Sequence, residues 1–400
     1  MKVADAPLSG IRVLDLTRYL AGPFATMLLA DYGADVVKVE SPKGREFRPP
    51  GATRDSYFFL SSNRNKRSLT LDVKGEAGRA CFLRMLPFVD VVVENFRPGV
   101  MQALGLGAES LLARQPRLVY CGISGFGASG PYRDRPGFDQ IAQGMSGFMS
   151  LTGTEESGPT RAGIAIGDLL GGLFAAHGIQ LALLARGRTG KGQIVDTSLL
   201  ESMIGVLSWG AGMFFEAGQA PGPAGQHHPL SAPYGRFRAR DAYLNIAAGK
   251  EAMWKQLAPA LGHAEWISDA RFCGSAERLA NREDLTRAME EALSHEDVPH
   301  WVDLLNRVGV PCGPVLDLSQ VFSDPQVLFR QMLVELPHPE LGTFKTTGLP
   351  VKLSQTPGAI TRPPPLHGEH SDEILEEFGL SPDEVRVLRG QGAVGPQSRT

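Results

Sequence analysis

The stretch Arg161-Ala-Gly-Ile-Ala-Ile-Gly-Asp-Leu-Leu-Gly-Gly172 places one carboxylate, Asp168, after Gly167 and before an apolar run, Leu169 to Leu184, that reads as a helix. At a helix N-terminus the anionic form of an aspartate is favoured by unpaired backbone N–H groups and by the helix dipole. An isolated Asp there reads first as an ordinary N-cap. The glycines at 163, 167, 171 and 172 point elsewhere, because they keep side-chain bulk off the backbone and suit close approach by a ligand. An ionised, uncrowded carboxylate is then a competent nucleophile for covalent catalysis. The adjacent histidines of His227-His228-Pro229 have no acidic or cysteine partner at metal-ligand spacing, so no metal site is expected. Cys81, Cys121, Cys273 and Cys312 are scattered, without CxxC, and read as reduced thiols.

The elements that must hold Asp168 alternate in type. Ile11–Leu16 reads as a short strand, Ala21–Asp31 as a helix closed by Gly33, and Val36–Val39 as a buried strand. The unit recurs as strand Leu69–Asp72, a helix from Glu76 to Leu86, strand Val89–Val93, a helix over Ser110–Ala113 and strand Leu118–Ser124. This alternation predicts an α/β fold, a Rossmann-like parallel sheet covered on both faces. No G-x-G-x-x-G follows the first strand, which argues against a dinucleotide cofactor. Beyond the Asp168 helix, Gly190–Thr197 reads as a turn and strand, followed by a helix to about Phe215. Residues 1–216 therefore belong to a large domain, the Gly/Pro/Ala-rich 217–235 to a linker, and 236–325 to a smaller α+β domain. In the last part, Leu336–Leu353 and Asp372–Leu388 carry strand patterns and one helix, and Arg362–Leu366 reads as extended polyproline.

Four hundred residues suffice for two cores, and 42% hydrophobic with 21% charged residues is an ordinary globular composition. A net charge of −3 gives no electrostatic case for nucleic acid or an anionic membrane. The N-terminus has no apolar signal region, and the run after Asp168 is interrupted by Gly171, Gly172, His177 and Gln180. A soluble, cytoplasmic protein with neither nucleic-acid nor membrane partners is expected.

Several segments coincide in order: Gly10-Ile-Arg-Val-Leu-Asp-Leu-Thr17, Ala21-Gly-Pro23, Gly33-Ala-Asp-Val-Val-Lys-Val-Glu40, Asn65-Lys-Arg-Ser68, Glu94-Asn-Phe-Arg-Pro-Gly99, Gly125-Phe-Gly127, Gly167-Asp168 and Gly190-Lys-Gly-Gln193. Together they resemble the class III CoA-transferase family, which includes formyl-CoA and carnitine CoA-transferases and α-methylacyl-CoA racemases. The resemblance runs from about residue 7 to 388. It implies a large α/β domain built from both chain ends, with 326–400 as its returning linker and C-terminal part, and a homodimer of two interlocked chains. It also implies that Asp168 is the catalytic nucleophile, forming aspartyl anhydride and aspartyl-CoA thioester intermediates. A CoA thioester would be substrate, with no tightly bound cofactor and a carboxylic acid as partner. By resemblance, Ala21, Leu71, Lys74, Asn95, Phe96, Arg97, Phe138 and Asp139 lie around CoA. Leu71, Lys74, Asn95 and Phe96 match positions at the nucleotide end. The chain departs from formyl-CoA transferase at Leu20, where that enzyme has Gln, at Ser41 and Ala103, where it has Arg, and at Pro136, where it has Lys. Arg18, Arg45 and Arg97 are the candidates to supply the missing charge.

Racemases of the family pair the aspartate with a histidine, because proton exchange at the α-carbon needs two titratable groups. Here the segment is Pro136-Gly-Phe-Asp139, and Phe138 cannot carry a proton. That favours CoA transfer over an α-methylacyl-CoA racemase or isomerase. Asp139 stays open as a second carboxylate or a structural acceptor. A non-catalytic CoA-binding protein is a third reading, against which Asp168 itself speaks. Asn63–Arg67, Arg161–Gly163 and Arg362–Pro365 look most like the succinyl-CoA-dependent, dicarboxylate-handling members, with Arg161 a candidate clamp for a second carboxylate.

Overall fold

The computed structural model describes residues 6–44 and 57–396. Six short strands, β1 (Arg12–Asp15), β2 (Asp35–Glu40), β3 (Arg67–Thr70), β4 (Val91–Glu94), β5 (Val119–Ser124) and β6 (Ile194–Ser198), form one sheet in the order β3-β2-β1-β4-β5-β6. Every pairing in it is parallel. The central strands are apolar almost throughout because helices cover both faces. Leu14, Val37, Leu69 and Val92 point into one core and Val13, Val36, Val91 and Val93 into the other. The sheet order reverses direction between β1 and β4, and ligands of open parallel sheets bind beyond the strand C-termini at such a point.

The helix Ile166–Thr189 packs on the second core through Ala175, Ala176, Ile179 and Ala182 and ends on Gly190 in the left-handed region. It runs unbroken, as expected, through Gly171, Gly172, His177 and Gln180, which interrupt the apolar run but not the helix. By length and composition it is one helix apolar enough to cross a membrane, a test the core helix of a globular domain also passes. Its glycines serve packing. A Cβ on Gly171 would lie 2.6 Å from Leu199, and one on Gly172 would lie 2.4 Å from the Ala21 carbonyl oxygen of the first helix, Ala21–Asp31. The region to Phe215, expected as a single helix, is two, Leu199–Gly205 and Trp209–Ala217, with Ser208 between them at φ 47°.

The chain forms two compact units, one of Met1–Phe148, Arg161–Gly212 and Gln326–Thr400, the other of Met149–Thr160 and Met213–Pro325. The second unit is built on the antiparallel sheet β7 (Tyr234–Arg238), β8 (Tyr243–Ala247) and β9 (Cys312–Pro314). Its core holds Phe237, Trp254, Phe272 and Trp301. The C-terminal part of the first unit carries the hairpin β10 (Leu333–His338) and β11 (Gly342–Thr347). Where one late helix was expected there are two, Ser371–Glu377 and Pro382–Gly390. Gly379 at φ 80° follows the first, and a Ser381/Glu384 capping box starts the second.

Candidate active site

The turn from β1 into the first helix is built on a buried charge. Asp15 ends β1 with no solvent exposure and accepts from Lys66 Nζ at 3.0 Å and Thr26 Oγ1 at 2.6 Å, with Lys38 Nζ at 3.4 Å. Burial alone would raise its carboxyl, but Lys38 and Lys66 hold it below the ordinary carboxylate range. Lys66, pushed down to about 7 by burial, spends its protons on Asp15, the Pro23 carbonyl (2.9 Å) and Asn63 Oδ1 (2.8 Å). This bolts the first turn of the helix to the sheet. Across the reversal point, Asn95 donates to the Arg18 carbonyl at 2.7 Å and accepts from the Arg18 N–H at 2.8 Å. Between these anchors Tyr19 is held at φ 62°, a left-handed conformation that a tyrosine adopts only when its surroundings impose it.

Asp168 is the third residue of its helix, and its carboxylate is not a cap. The cap comes from another helix: Asp139 Oδ1 accepts from the N–H of Gly167 at 2.8 Å and of Asp168 at 3.2 Å. Asp139 opens the helix Asp139–Met145, and its Oδ2 accepts from Gln143 Nε2 at 2.6 Å. Among the described residues no hydrogen bond reaches the Asp168 carboxylate. The terminal N–H groups therefore do not favour its ionisation. Burial first, and the charge of Asp139 second, push the carboxyl up to about 7. The glycine at 167 makes room for this cap, since a Cβ there would lie 3.1 Å from Asp139 Oδ1. Gly163 has nothing within 4 Å.

Asp168 lines two cavities. The larger, about 850 Å³, is bounded by the loops after β1, β2 and β3 and includes Leu71, Lys74, Phe96, Phe138, Asp139 and Arg161. The smaller, about 320 Å³, lies between the loops after β1, β4 and β5 and includes Ala21, Asn95, Phe96, Arg97 and Phe138. The sequence-derived site residues thus all line one or both, although they differ in character. Leu71 is 2% exposed and belongs to the core as much as to the cavity wall. Lys74 and Arg97 are exposed, and Phe96 lies under the Arg18 guanidinium, 5.1 Å from its ring centroid. Phe138 is 60% exposed and meets Tyr19 edge-on at 6.0 Å. Leu20 and Ser41 line the larger cavity and Pro136 the smaller, whereas Ala103 lines neither. Arg45 lies outside the described residues.

Some assignments change. Of Asn63–Arg67 only Asn63 lines either of these two cavities. Arg64 is paired with Asp31 at 2.7 Å, and Arg67 with Asp35 and Glu377, so these cations hold the fold together. Arg362 receives its place from Asn65, whose Oδ1 accepts from the Arg362 N–H. His228 stacks on Tyr234 and His227 meets Phe237 in the second unit. Arg133 and Arg135, not singled out from the sequence, join Arg18 and Arg97 around the smaller cavity, where among the described residues Asp168 is the single carboxylate. Arg133 also reaches Asp134 at 3.5 Å, and Arg135 stacks on Tyr132 at 3.7 Å. The charge run Arg133-Asp134-Arg135, directly before Pro136, was the available signal.

Comparison with known proteins gives this site its context. Residues 8–371 match CoA-transferase family III. The chain is 39% identical over 375 residues to succinyl-CoA:glutarate CoA-transferase of Mus musculus, covering 93% of this chain and 86% of that one. It is 39% identical over 377 residues to acetyl-CoA:oxalate CoA-transferase of Acetobacter aceti, covering 93% and 96%. A CAIB/BAIF family protein from Brucella suis, of known crystal structure, superposes with a TM-score of 0.85 at 38% identity, covering 94% of this chain and all of that one. The chain belongs to CoA-transferase family III and is a CoA-transferase, with CoA thioesters and carboxylic acids as its substrates.

Proposed function

We propose that Asp168 is the nucleophile of a CoA exchange between succinyl-CoA, or another short acyl-CoA, and a small dicarboxylic acid. The observation that carries this is a part-buried carboxylate, without a hydrogen bond among the described residues, at the junction of two cavities. One Asp168 oxygen attacks the thioester carbonyl, the C–S bond breaks, and an aspartyl anhydride and CoA thiolate form. The thiolate then attacks the aspartyl carbonyl, which releases the first acid and leaves an aspartyl-CoA thioester. The acceptor acid runs the same steps in reverse, so protons and electrons balance with no further reactant. The names of the succinyl-CoA-dependent relatives support the choice of donor.

In this reading CoA spans both cavities. Leu71, Lys74 and Phe96 take the nucleotide base end, as the resemblance implies, and Arg97, Arg133 and Arg135 take the phosphates, because several clustered guanidinium groups suit a polyanion. Arg161 faces the acid's second carboxylate. Phe138 and Tyr19 keep water from the anhydride. Racemisation is disfavoured, since Phe138 carries no proton and both oxygens of Asp139 already accept hydrogen bonds. We further propose the interlocked homodimer. The outward face of the Ile166–Thr189 helix, with Leu173, Phe174, Leu181 and Leu184 exposed, supports a covered surface there.

The test is a panel of mono- and dicarboxylic acids incubated with succinyl-CoA and the purified protein, with product CoA esters read by mass spectrometry. Exchange with dicarboxylates that is lost in Asp168→Ala is the expected result. Exchange undiminished in Asp168→Ala would overturn the assignment.

A further inference from the structure

Resting on Asp168 as nucleophile, we propose that Gln143 is a positioning residue that holds it in place without touching substrate. Gln143 is wholly buried in the helix Asp139–Met145, and its amide works at both ends. Nε2 donates to Asp139 Oδ2 at 2.6 Å, and Oε1 accepts from the Ala162 N–H at 2.9 Å. The other oxygen of Asp139 holds the N–H groups of Gly167 and Asp168. One helix therefore grips both ends of the segment 162–168. Among the described residues, every hydrogen bond from that segment to another element runs through Gln143 or Asp139.

The segment needs the grip. It carries Gly163 and Gly167, has no regular structure before Ile166, follows directly on Arg161 and brings Ala165 and Asp168 to the larger cavity. The chemistry of the two bonds selects the side chain. An ionised Asp139 only accepts, so its partner must donate, and a backbone N–H only donates, so its partner must accept. A primary amide does both, whereas a carboxylate or an ammonium does one. A buried glutamine with both ends satisfied in this way acts as a strap.

The test compares Gln143→Glu, Asp139→Asn and the double exchange Asp139→Asn/Gln143→Glu in the full-length protein. In Gln143→Glu two carboxylates face each other at the 2.6 Å contact, and the strap opens. In Asp139→Asn two amide donors face each other, or Gln143 flips and the Ala162 N–H loses its acceptor. In the double variant the new amide at 139 donates to the new carboxylate at 143, which restores that bond with its direction reversed, while the Ala162, Gly167 and Asp168 N–H groups again find side-chain oxygens to donate to. Each single variant should lose about 100-fold in kcat with KM for acyl-CoA little changed, the scale of effect expected from a 1 Å misplacement. The double variant should recover about tenfold or more over the worse single variant. Singles that turn over like the wild type, or a double no better than the worse single, would overturn the strap. If Gln143→Glu does not fold, recovery of both folding and kcat in the double decides. Asp168→Ala, assayed alongside, separates the two ideas. Activity there defeats the nucleophile itself, while inactivity there with a fully active Gln143→Glu defeats only the strap.

Discussion

As the proposed nucleophile Asp168 has to be ionised to attack, yet burial and the neighbouring Asp139 push its carboxyl up to about 7. The attacking form is then scarce in acid, so kcat/KM should rise with pH through about 7 and level off above it. Removing the charge with Asp139→Asn takes away one of the two causes, and the acidic limb should move to lower pH even though the plateau falls. A pH–rate profile of both proteins checks this; a limb that stays in place would mean that Asp139 does not set the ionisation. The position of Asp168 was legible in the sequence as a Gly-Asp step before an apolar helix. Its electrostatics were not, because the residue that caps the helix lies 29 positions earlier and meets it only after folding.

Among the elements, the contact between the first helix and the Asp168 helix fixes how the segment 162–168 and the β1 turn face each other. Gly172 carries that contact, with the Ala21 carbonyl where a Cβ would go. Gly172→Ala should therefore destabilise the protein by about 1–3 kcal/mol and raise KM for acyl-CoA as the Ala21 turn is displaced. Urea unfolding and steady-state kinetics measure the two effects, and an unchanged midpoint would show that the helices separate freely. The strands were readable because central strands covered on both faces are apolar runs between turn residues. The glycines of 163–172 were readable as special but not in their purpose, since Gly171 and Gly172 admit Leu199 and Ala21, residues distant in sequence, instead of a ligand. The second C-terminal helix was visible in principle, because Ser381-Pro-Asp-Glu384 is a capping sequence in its own right.

For the molecule as a whole, the proposed placement of CoA across two cavities that meet at Asp168 would let CoA stay bound while acids exchange. The double variant Arg133→Ala/Arg135→Ala should raise KM for succinyl-CoA by about 10-fold or more while leaving an acyl-pantetheine donor unaffected. Equal losses with both donors would place these arginines away from the phosphates. The proposed interlocked homodimer makes a second whole-molecule prediction. Two differently tagged preparations mixed in native buffer should stay unmixed for days, and should form mixed dimers only after unfolding and refolding together. Rapid native exchange, or a monomer at micromolar concentration in sedimentation, would contradict it. Neither property was carried by composition. Net charge hides a local excess of arginine, and the partner of an apolar helix face is not written in the helix.

A covalent enzyme–CoA intermediate would carry a mass that can be located on the chain. The protein is incubated with succinyl-CoA without an acceptor, quenched in acid, digested and mapped. The expected result is a CoA-bearing peptide containing Asp168, which hydroxylamine converts to the aspartyl hydroxamate at that residue. A modification mapped to another residue, or an unmodified Asp168 peptide in a protein that is actively exchanging CoA, would contradict it.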